Sequence, residues 1–270
     1  MNESEMARWS GRQVREACRA GTFTGPTAGV ARGYAQMNLV VLRASVTDDF
    51  VKYCHRNPKP CPLLEATPAG DYELATLAPG ADLRTDLPRY RVFREGKLEA
   101  APTSVVDWWR EDMVAFLIGC SFTFEAALQE QNIPVRHIEE HRNVPMYRTS
   151  IATEPAGVFG GPLVVSMRPM TPAQSEEARR VTAEYPRVHG APLHVGDPKV
   201  LGIADLARPD FGDPVTIHPG EVPVFWACGV TPMEAVLRAC LDLAITHEPG
   251  HMLVTDWKDR NLRGRGGCTL

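Results

Sequence analysis

Two cysteines follow apolar runs at points where a helix is predicted to begin. Cys120 comes after the run 113–118 (MVAFLI), and Cys228 closely follows the run 222–226 (VPVFW). Helix N-termini lower thiol pKa values and bind anions through free amides. Each joint therefore predicts a reactive thiol or an oxyanion pocket, and a buried, inert cysteine is the alternative. Ser121 is predicted to cap the helix that follows Cys120.

The string HEPGH at 247–251 matches the H-E-x-x-H pattern of zinc metalloproteases. That pattern binds zinc only on a helix, where residues i and i+4 share a face. Pro249 and Gly250 argue against a helix here, since an interior proline costs about 3 kcal/mol. We expect a turn between a helix and a strand, and no zinc site. His247 is a candidate general base, with a structural histidine as the alternative.

Arginines are concentrated in the segment 81–93 (ADLRTDLPRYRVF), which contains Arg84 and Arg89. Forked guanidinium groups bind carboxylates with two parallel hydrogen bonds. The segment also contains Asp82 and Asp86, so a solvated charged face is the alternative interpretation.

The segment 221–256 is predicted to position Cys228 within a strand, helix and strand. The apolar run 222–226 is the first strand, and Thr231 begins a T-P-x-E capping signal for a helix to about Leu243. The run 252–254 is the returning strand, and we expect it to pair in parallel with the first. The carboxyl ends of such strands are where ligands bind.

The segment 162–174 repeats this pattern with an apolar strand and the cap Thr171, Pro172 and Gln174, 60 residues before Thr231. The repeat indicates a duplicated βαβ unit, or two independent uses of a common helix start. We therefore predict an α/β fold with a mixed, largely parallel sheet and helices on both faces. Two closely joined domains are expected at 1–145 and 146–270, with a disordered tail from about residue 258.

Composition limits the partners. The chain has 270 residues, 44% of them hydrophobic, and a formal net charge of −4. This balance gives no basic footprint for nucleic acid or an anionic membrane, so we expect a small-molecule partner. A homodimer is a possible assembly that the sequence leaves open. The polar N-terminus and the lack of an 18-residue apolar run predict a cytoplasmic protein. Seven scattered cysteines predict reduced thiols.

Ten strings between about Arg12 and Asp256 resemble, in order, the bacterial putative hydro-lyase family, which is similar to the catalytic part of mitochondrial D-glutamate cyclase. They are GYAQMNLVVL, CHRNPKPCPLLE, ADLRTDLPRYRVF, FLIGCSFTFEAAL, IPVRHIEEHRNVPMYRT, GPLVVSMRP, VHGAPLHVGDP, GIADLARPDFGD, EVPVFWACGVTP and ITHEPGHMLVTD. The family pattern has Ala where Glu248 stands and Asn where Ser150 stands. The first departure argues against Glu248 as a catalytic base.

The resemblance implies an α/β fold of two domains and a lyase that removes water, most simply converting D-glutamate to 5-oxo-D-proline. That reaction needs cationic donors for the substrate's carboxylates, for which the candidates are Arg84, Arg89, Arg148 and Arg168. It also needs a general base, His247 or Asp205. The amides after Cys120 and Cys228 would hold the oxyanion, with Ser121 and Thr231 as further substrate-binding candidates.

The sequence establishes no cofactor with certainty, and a divalent metal is possible. A divalent cation could replace the acid that protonates the departing oxygen, with oxygen ligands from Asp205, Asp210, Asp213 and Asp256. Two other functions fit the same resemblance. One is removal of water from a different hydroxy or amino acid, and the other is carboxylate binding without turnover.

Overall fold

Two antiparallel sheets form the framework of the protein in the computed structural model, which describes residues 3–264. The strands are β1 (Tyr34–Arg43), β2 (Leu63–Ala66), β3 (Tyr90–Arg94), β4 (Lys97–Ala100), β5 (Met113–Gly119), β6 (Met146–Ala152), β7 (Pro162–Met170), β8 (His194–Val195), β9 (Val222–Ala227), β10 (Ala244–His247) and β11 (Leu253–Lys258). The larger sheet has the order β2-β5-β1-β10-β3-β4, with β11 also paired to β1, and the smaller has the order β6-β7-β9-β8.

Seven α-helices and several 3-10 turns connect these strands within the described chain. The helices are α1 (Glu3–Met6), α2 (Gly11–Arg19), α3 (Thr47–Arg56), α4 (Glu125–Glu130), α5 (Arg136–Glu139), α6 (Pro172–Ala183) and α7 (Val230–Arg238). The 3-10 turns are Ala44–Val46, Val106–Trp108, Ser121–Phe124, Pro186–Val188, Pro198–Leu201 and Asp259–Leu262. None of the helices within the described part of the chain is long and apolar enough to cross a membrane.

The mixed α/β class is confirmed, but the largely parallel sheet is wrong. Every strand pair in the described residues runs antiparallel. The prediction failed because α7 leads from β9 in the smaller sheet to β10 in the larger one, so the two strands never share a sheet. The strands before the two T-P signals, β7 and β9, are antiparallel neighbours and not the first strands of two parallel βαβ units. Both are interior strands, as predicted.

The two predicted T-P caps behave differently. Thr171 caps α6, since its hydroxyl accepts from the Gln174 amide at 3.3 Å and the Gln174 side chain accepts from the Thr171 amide at 3.0 Å. Thr231 does not cap α7, which begins one residue earlier. Its buried hydroxyl instead accepts from the amide of Val164 in β7 at 3.0 Å. Thr231 therefore ties α7 to the sheet, and the prediction that it caps the helix is wrong.

The C-terminal segment is ordered further than predicted. β11 continues to Lys258, a 3-10 turn covers Asp259–Leu262, and Leu262 is fully buried. Predicted disorder from about 258 is therefore wrong up to residue 264, and the rest of the predicted tail, 265–270, lies outside the described residues.

One apolar cluster joins the two sheets. It includes Leu39 and Ile245 of the larger sheet and Trp226 of the smaller sheet, all fully buried. β10 and β11, from the predicted C-terminal domain, also pair with β1 of the predicted N-terminal domain. The chain thus crosses back over the division at residue 145, and a separation into two domains stays a prediction.

Candidate functional site

A cavity of about 440 Å³ lies where the loop 26–33 meets the start of β1, the segment 121–126 and the chain after α5. Its polar lining includes Arg32, Gln36, Glu125, His137, Asn143 and Asp213. Phe122, Ala126 and Ile138 provide apolar walls. Cavities of this kind, mostly apolar with a few converging polar groups, are where small ligands bind.

Glu125, the first residue of α4, is a buried anion on the wall of this cavity. Arg168 of β7 donates from Nε to Glu125 Oε1 at 3.1 Å and also contacts that oxygen through Nη2. Ser121 and Ser166 accept the remaining guanidinium bonds at 3.1 and 3.2 Å. Burial pushes the pKa of Glu125 upward, but the contacts with His137 and Arg168 outweigh burial and hold it below its usual value. The carboxylate is therefore ionised at neutral pH.

His137 stands beside this carboxylate. Its Nε2 lies 3.1 Å from Glu125 Oε1, without the alignment of a hydrogen bond. The imidazole stacks on Phe122, with ring centroids 5.9 Å apart, and is 1% exposed. A carboxylate and an imidazole at this separation can share and pass a proton. The cavity wall thus contains an acid–base pair.

Several buried polar atoms of the cavity lack a partner within the protein. Among the described residues, five buried side-chain nitrogen or oxygen atoms have no hydrogen-bond partner. Three of them, Gln36 Oε1, His137 Nε2 and Asn143 Oδ1, belong to residues that line the cavity. These three atoms are themselves buried, and His137 Nε2 lies 3.1 Å from a Glu125 oxygen, so they add polar character to the wall without being open to a ligand in the cavity.

The predicted residues Ser121 and Arg168 come together at this site, with Cys120 next to Ser121. Ser121 is not the predicted helix cap, because the Sγ of Cys120 accepts the capping bond from the Phe122 amide at 3.5 Å. Arg168 binds Glu125 and is not a free carboxylate clamp.

Cys120 and Cys228 pack in one apolar cluster with Val164 and Met233, but neither lines the cavity. Burial raises the pKa of the Cys120 thiol well above its usual value, and raises that of Cys228 to about 11. Both are protonated at neutral pH, and a protonated thiol is a poor nucleophile. The buried alternative describes them better than the reactive one.

His247 is the last residue of β10 and is fully buried away from the cavity lining. The amide of Leu39 donates to its Nδ1 at 3.2 Å. Burial lowers the pKa of His247 to about 4, so the ring is neutral at pH 7. HEPGH forms a turn, as predicted, but between two strands and not between a helix and a strand. Glu248 in that turn pairs with Arg91 at 2.5 Å.

The other predicted site residues lie apart from the cavity lining. Arg84 pairs with Asp82 at 2.8 Å, and Arg89 is exposed. Arg148 pairs with Asp210 at 2.8 Å and with Glu234 at 2.6 Å. Asp205 is exposed and accepts from the amide of Ala207 at 2.8 Å.

The four carboxylates proposed as cation ligands are dispersed. Asp210 is bound by Arg148, and Asp256 by Arg15 at 2.8 Å. Asp213 accepts a hydrogen bond from the backbone N–H of Asn143 at 2.9 Å and lines the cavity. Within residues 3–264, no three His, Cys, Asp or Glu side chains form a group that could hold a metal ion. The predicted aspartate set therefore does not form a metal site there.

Glu125 and His137 were missed as site residues. A signal was present for Glu125, which stands inside the apolar run FTFEAAL, and for Arg168, which stands inside VVSMRP. Charges embedded in apolar runs are buried only when paired. Opposite charges in two such runs predict each other as partners, and this reasoning would have found the ion pair.

Comparison with known proteins places the chain in a family. Residues 114–256 match the family model described as D-glutamate cyclase. A protein of Stutzerimonas stutzeri (strain A1501) named "Putative hydro-lyase" is 58% identical over 92% of this chain and 94% of its own length. A namesake from Thermoanaerobacter sp. (strain X514) is 56% identical over 93% of this chain and 94% of its own.

Among solved structures, a nitrogen repressor-like protein from Methanococcus jannaschii covers 91% of this chain and 98% of its own at 9% identity, with a TM-score of 0.37. That likeness is too weak to carry an argument. The match of the family model to over half of the chain, and relatives above 50% identity along nearly all of it, lead to one conclusion: the chain belongs to the D-glutamate cyclase family of hydro-lyases.

Proposed function

We propose that the protein removes water from D-glutamate and forms 5-oxo-D-proline in the cavity beside Glu125. The observation that carries this proposal is the buried pair of Glu125 and His137 on the cavity wall, inside the segment that matches the family model. Ring closure of glutamate needs one group that first accepts and later donates a proton. An imidazole next to a fixed carboxylate is suited to both steps.

In the proposed reaction, His137 takes a proton from the substrate's ammonium group, and the freed amine attacks the γ-carboxyl carbon. The ionised Glu125 stabilises the imidazolium that forms, and Arg168 holds that carboxylate in place. The imidazolium returns this proton to one oxygen of the tetrahedral intermediate. His137 then moves a second proton from the attacking nitrogen to the same oxygen, which leaves as water while one hydrogen stays on the lactam nitrogen. The amine and carboxyl belong to one molecule, so closing the five-membered ring gains from proximity.

Cationic groups at the cavity offer partners for the substrate's carboxylates. The Arg32 side chain lines the cavity, is exposed, and makes no ion pair within the described part of the chain. Arg142 also lines the cavity, and its Nη1 donates to the carbonyl of Pro214. These two replace Arg84, Arg89 and Arg148 as the proposed anchors, because those three do not line the cavity.

The proposal needs no covalent intermediate on a thiol. A free carboxylate is a poor acyl donor, and thioester formation from it would be strongly unfavourable without activation. The protonated, buried state of Cys120 and Cys228 supports a packing role for both.

The test is turnover by the purified protein. D-Glutamate, L-glutamate and 5-oxo-D-proline would each be incubated with the enzyme, with and without added divalent cation, and products separated by chiral chromatography. We expect interconversion of D-glutamate and 5-oxo-D-proline. Inertness toward both compounds in all conditions would refute the proposal.

A further inference from the structure

Asp213 is an exposed residue on the cavity lining, and its neighbours fix its position. Its backbone N–H donates to the carbonyl of Asn143 at 3.1 Å, and its Oδ2 accepts from the backbone N–H of Asn143 at 2.9 Å. The preceding residue, Gly212, has φ +73°, and a Cβ atom there would stand 2.0 Å from the carbonyl oxygen of Val144. Only glycine suits that conformation and that close approach. The segment that carries Asp213 is therefore held tightly against the chain after α5.

The same stretch of chain connects Asp213 with the proposed base. The backbone N–H of Arg142 donates to the carbonyl of His137 at 2.8 Å, and the next residue, Asn143, binds Asp213. The Arg142 side chain donates to the carbonyl of Pro214, which directly follows Asp213. An anion, an arginine and the imidazole thus lie along one continuous part of the cavity lining.

Asp213 is also the carboxylate of the cavity that has no cationic partner. Among the described residues that line the cavity, only Glu125 and Asp213 carry a carboxylate. Glu125 is bound by Arg168 and faces His137. Asp213 makes no ion pair with any side chain of residues 3–264. One exposed anion of the cavity therefore remains open to a cation on a ligand.

The charges of the lining match the charges of an amino dicarboxylic acid. The exposed arginines Arg32 and Arg142 suit two carboxylates, and Asp213 suits one ammonium group. A primary ammonium has three N–H donors on one atom, so it can bind Asp213 and still present a proton to His137. A hydroxyl is neutral and has one donor. A methylene has none and leaves the Asp213 charge uncompensated.

We infer that Asp213 binds the ammonium group of an α-amino dicarboxylic acid and makes the cavity selective against the corresponding hydroxy and deamino acids. This inference rests on the proposed function, in that it assigns the amino end of the same substrate. It also separates an amino acid from a hydroxy acid as the compound from which water is removed.

The experiment compares two ligands too short to close a five-membered ring, so that binding is measured without turnover. D-Aspartate and succinate have the same chain length and differ in carrying an ammonium group or a hydrogen at one carbon. Isothermal titration calorimetry of the wild-type protein should show D-aspartate binding about tenfold more tightly, the lower end for a hydrogen bond between charged groups. Equal affinities, or no binding of D-aspartate, would overturn the inference.

Asp213→Asn removes the charge and keeps an oxygen that can accept from the backbone N–H of Asn143. This variant should bind D-aspartate about tenfold more weakly than the wild type, and succinate at least as tightly. Asp197→Asn is the matched control. Asp197 is also exposed and accepts from a backbone N–H, that of Lys199 at 3.0 Å, but does not line the cavity. The same change of net charge there should leave both affinities unaltered.

Asp213→Ser gives the same test if Asp213→Asn does not fold, because its hydroxyl is neutral and can also accept from the backbone N–H of Asn143. Unaltered affinity for D-aspartate in a folded neutral variant would contradict the inference. Equal weakening of D-aspartate and succinate would show a structural role for Asp213 and would also overturn it.

Kinetics distinguish a failure of this inference from a failure of the proposed reaction. In Asp213→Asn we expect KM for D-glutamate to rise about tenfold, with a smaller change in kcat. An unchanged KM would refute the ammonium site and leave the reaction standing. Selective binding of D-aspartate by a protein that does not turn over D-glutamate would refute the reaction and leave the ammonium site standing.

Discussion

Two buried glutamates, each paired with an arginine, lie in regions of very different character. Glu125 and Arg168 have side chains 3% and 0% exposed, so the whole pair is enclosed. Glu234 is just as buried at 4%, but its partner Arg148 is 39% exposed and also binds Asp210 at 2.8 Å. Among residues 3–264, Arg168 binds no second carboxylate, whereas Arg148 does.

The difference teaches what distinguishes a site from a structural ion pair. The guanidinium of Arg148 lies over the ring of Phe211, 4.7 Å from its centroid, and its charge is satisfied by two carboxylates. Glu125 instead faces His137, whose Nε2 has no aligned partner, on the wall of a cavity. Burial and pairing are common to both, and the unfinished hydrogen bonding belongs only to the first.

The largest expected effect is on stability when each glutamate is neutralised. Glu125→Gln leaves Arg168 as a buried charge without an anion, so we expect a loss of about 3–5 kcal/mol in the free energy of unfolding. Glu234→Gln leaves Arg148 bound to Asp210, so a loss of about 1 kcal/mol is expected. Urea unfolding of both variants measures the difference. Equal losses would show that the two pairs are energetically alike.

Two buried histidines sharpen the same contrast through catalysis. His137→Gln should lower kcat by about 10²–10⁴, the usual contribution of a general acid–base group. His247→Gln should leave kcat of the folded protein near the wild-type value, because that ring accepts a hydrogen bond from the Leu39 amide and does not line the cavity. Steady-state assays on samples checked for folding by circular dichroism decide this. A larger loss of kcat in His247→Gln than in His137→Gln would instead identify His247 as the general base.

The loss of folding stability at low pH should come from two buried histidines that do not line the cavity, His189 and His247. Burial lowers the pKa of both His189 and His247 from 6.5 to about 4. Below pH 6.5 these histidines bind protons in the unfolded chain but remain neutral in the folded chain until about pH 4. The unfolded state is therefore favoured as pH falls, and stability present at pH 7 is lost. We expect each to remove about 2 kcal/mol between pH 7 and pH 5. Unfolding curves of the wild type and His247→Gln, compared across this range, should show a shallower loss in the variant.

Modest effects are expected at the two thiols, one near each glutamate along the chain. Cys120→Ser and Cys228→Ser place a hydroxyl in an apolar cluster, so each should cost about 1–3 kcal/mol of stability. Turnover should change less than about tenfold, because the proton transfers are assigned to His137 and neither thiol takes part in them. A covalent adduct of substrate on either cysteine, detected by mass spectrometry, would overturn the packing role.

Local signals in the sequence predicted local structure well. The interior strands β7 and β9 were visible as short apolar runs, and the cap at Thr171 as a capping box. Pairing direction was not predictable, because nothing in a short helix tells whether it returns to the same sheet or leads to another. The cap predicted at Thr231 was wrong for a related reason. Its hydroxyl accepts a hydrogen bond from a strand residue 67 positions away, and not from the amides of its own helix.

The site was predicted only in part. Arg168 and Ser121 were among the candidates, and they do meet. Glu125 was missed because its signal, a charge inside an apolar run, points to a buried pair only when it is read together with Arg168, 43 residues away.

The central position of β1 has a consequence for how the chain folds. Val40 pairs with Thr246, and Met37 with Leu253. This strand can therefore complete its pairing only after segments more than two hundred residues later have been synthesised. Contacts so distant in sequence slow the search for the native topology. Until β10 and β11 arrive, the apolar edge of β1 is open to pairing with other chains. We expect slow refolding, a yield that falls as protein concentration rises, and a benefit from chaperones during synthesis.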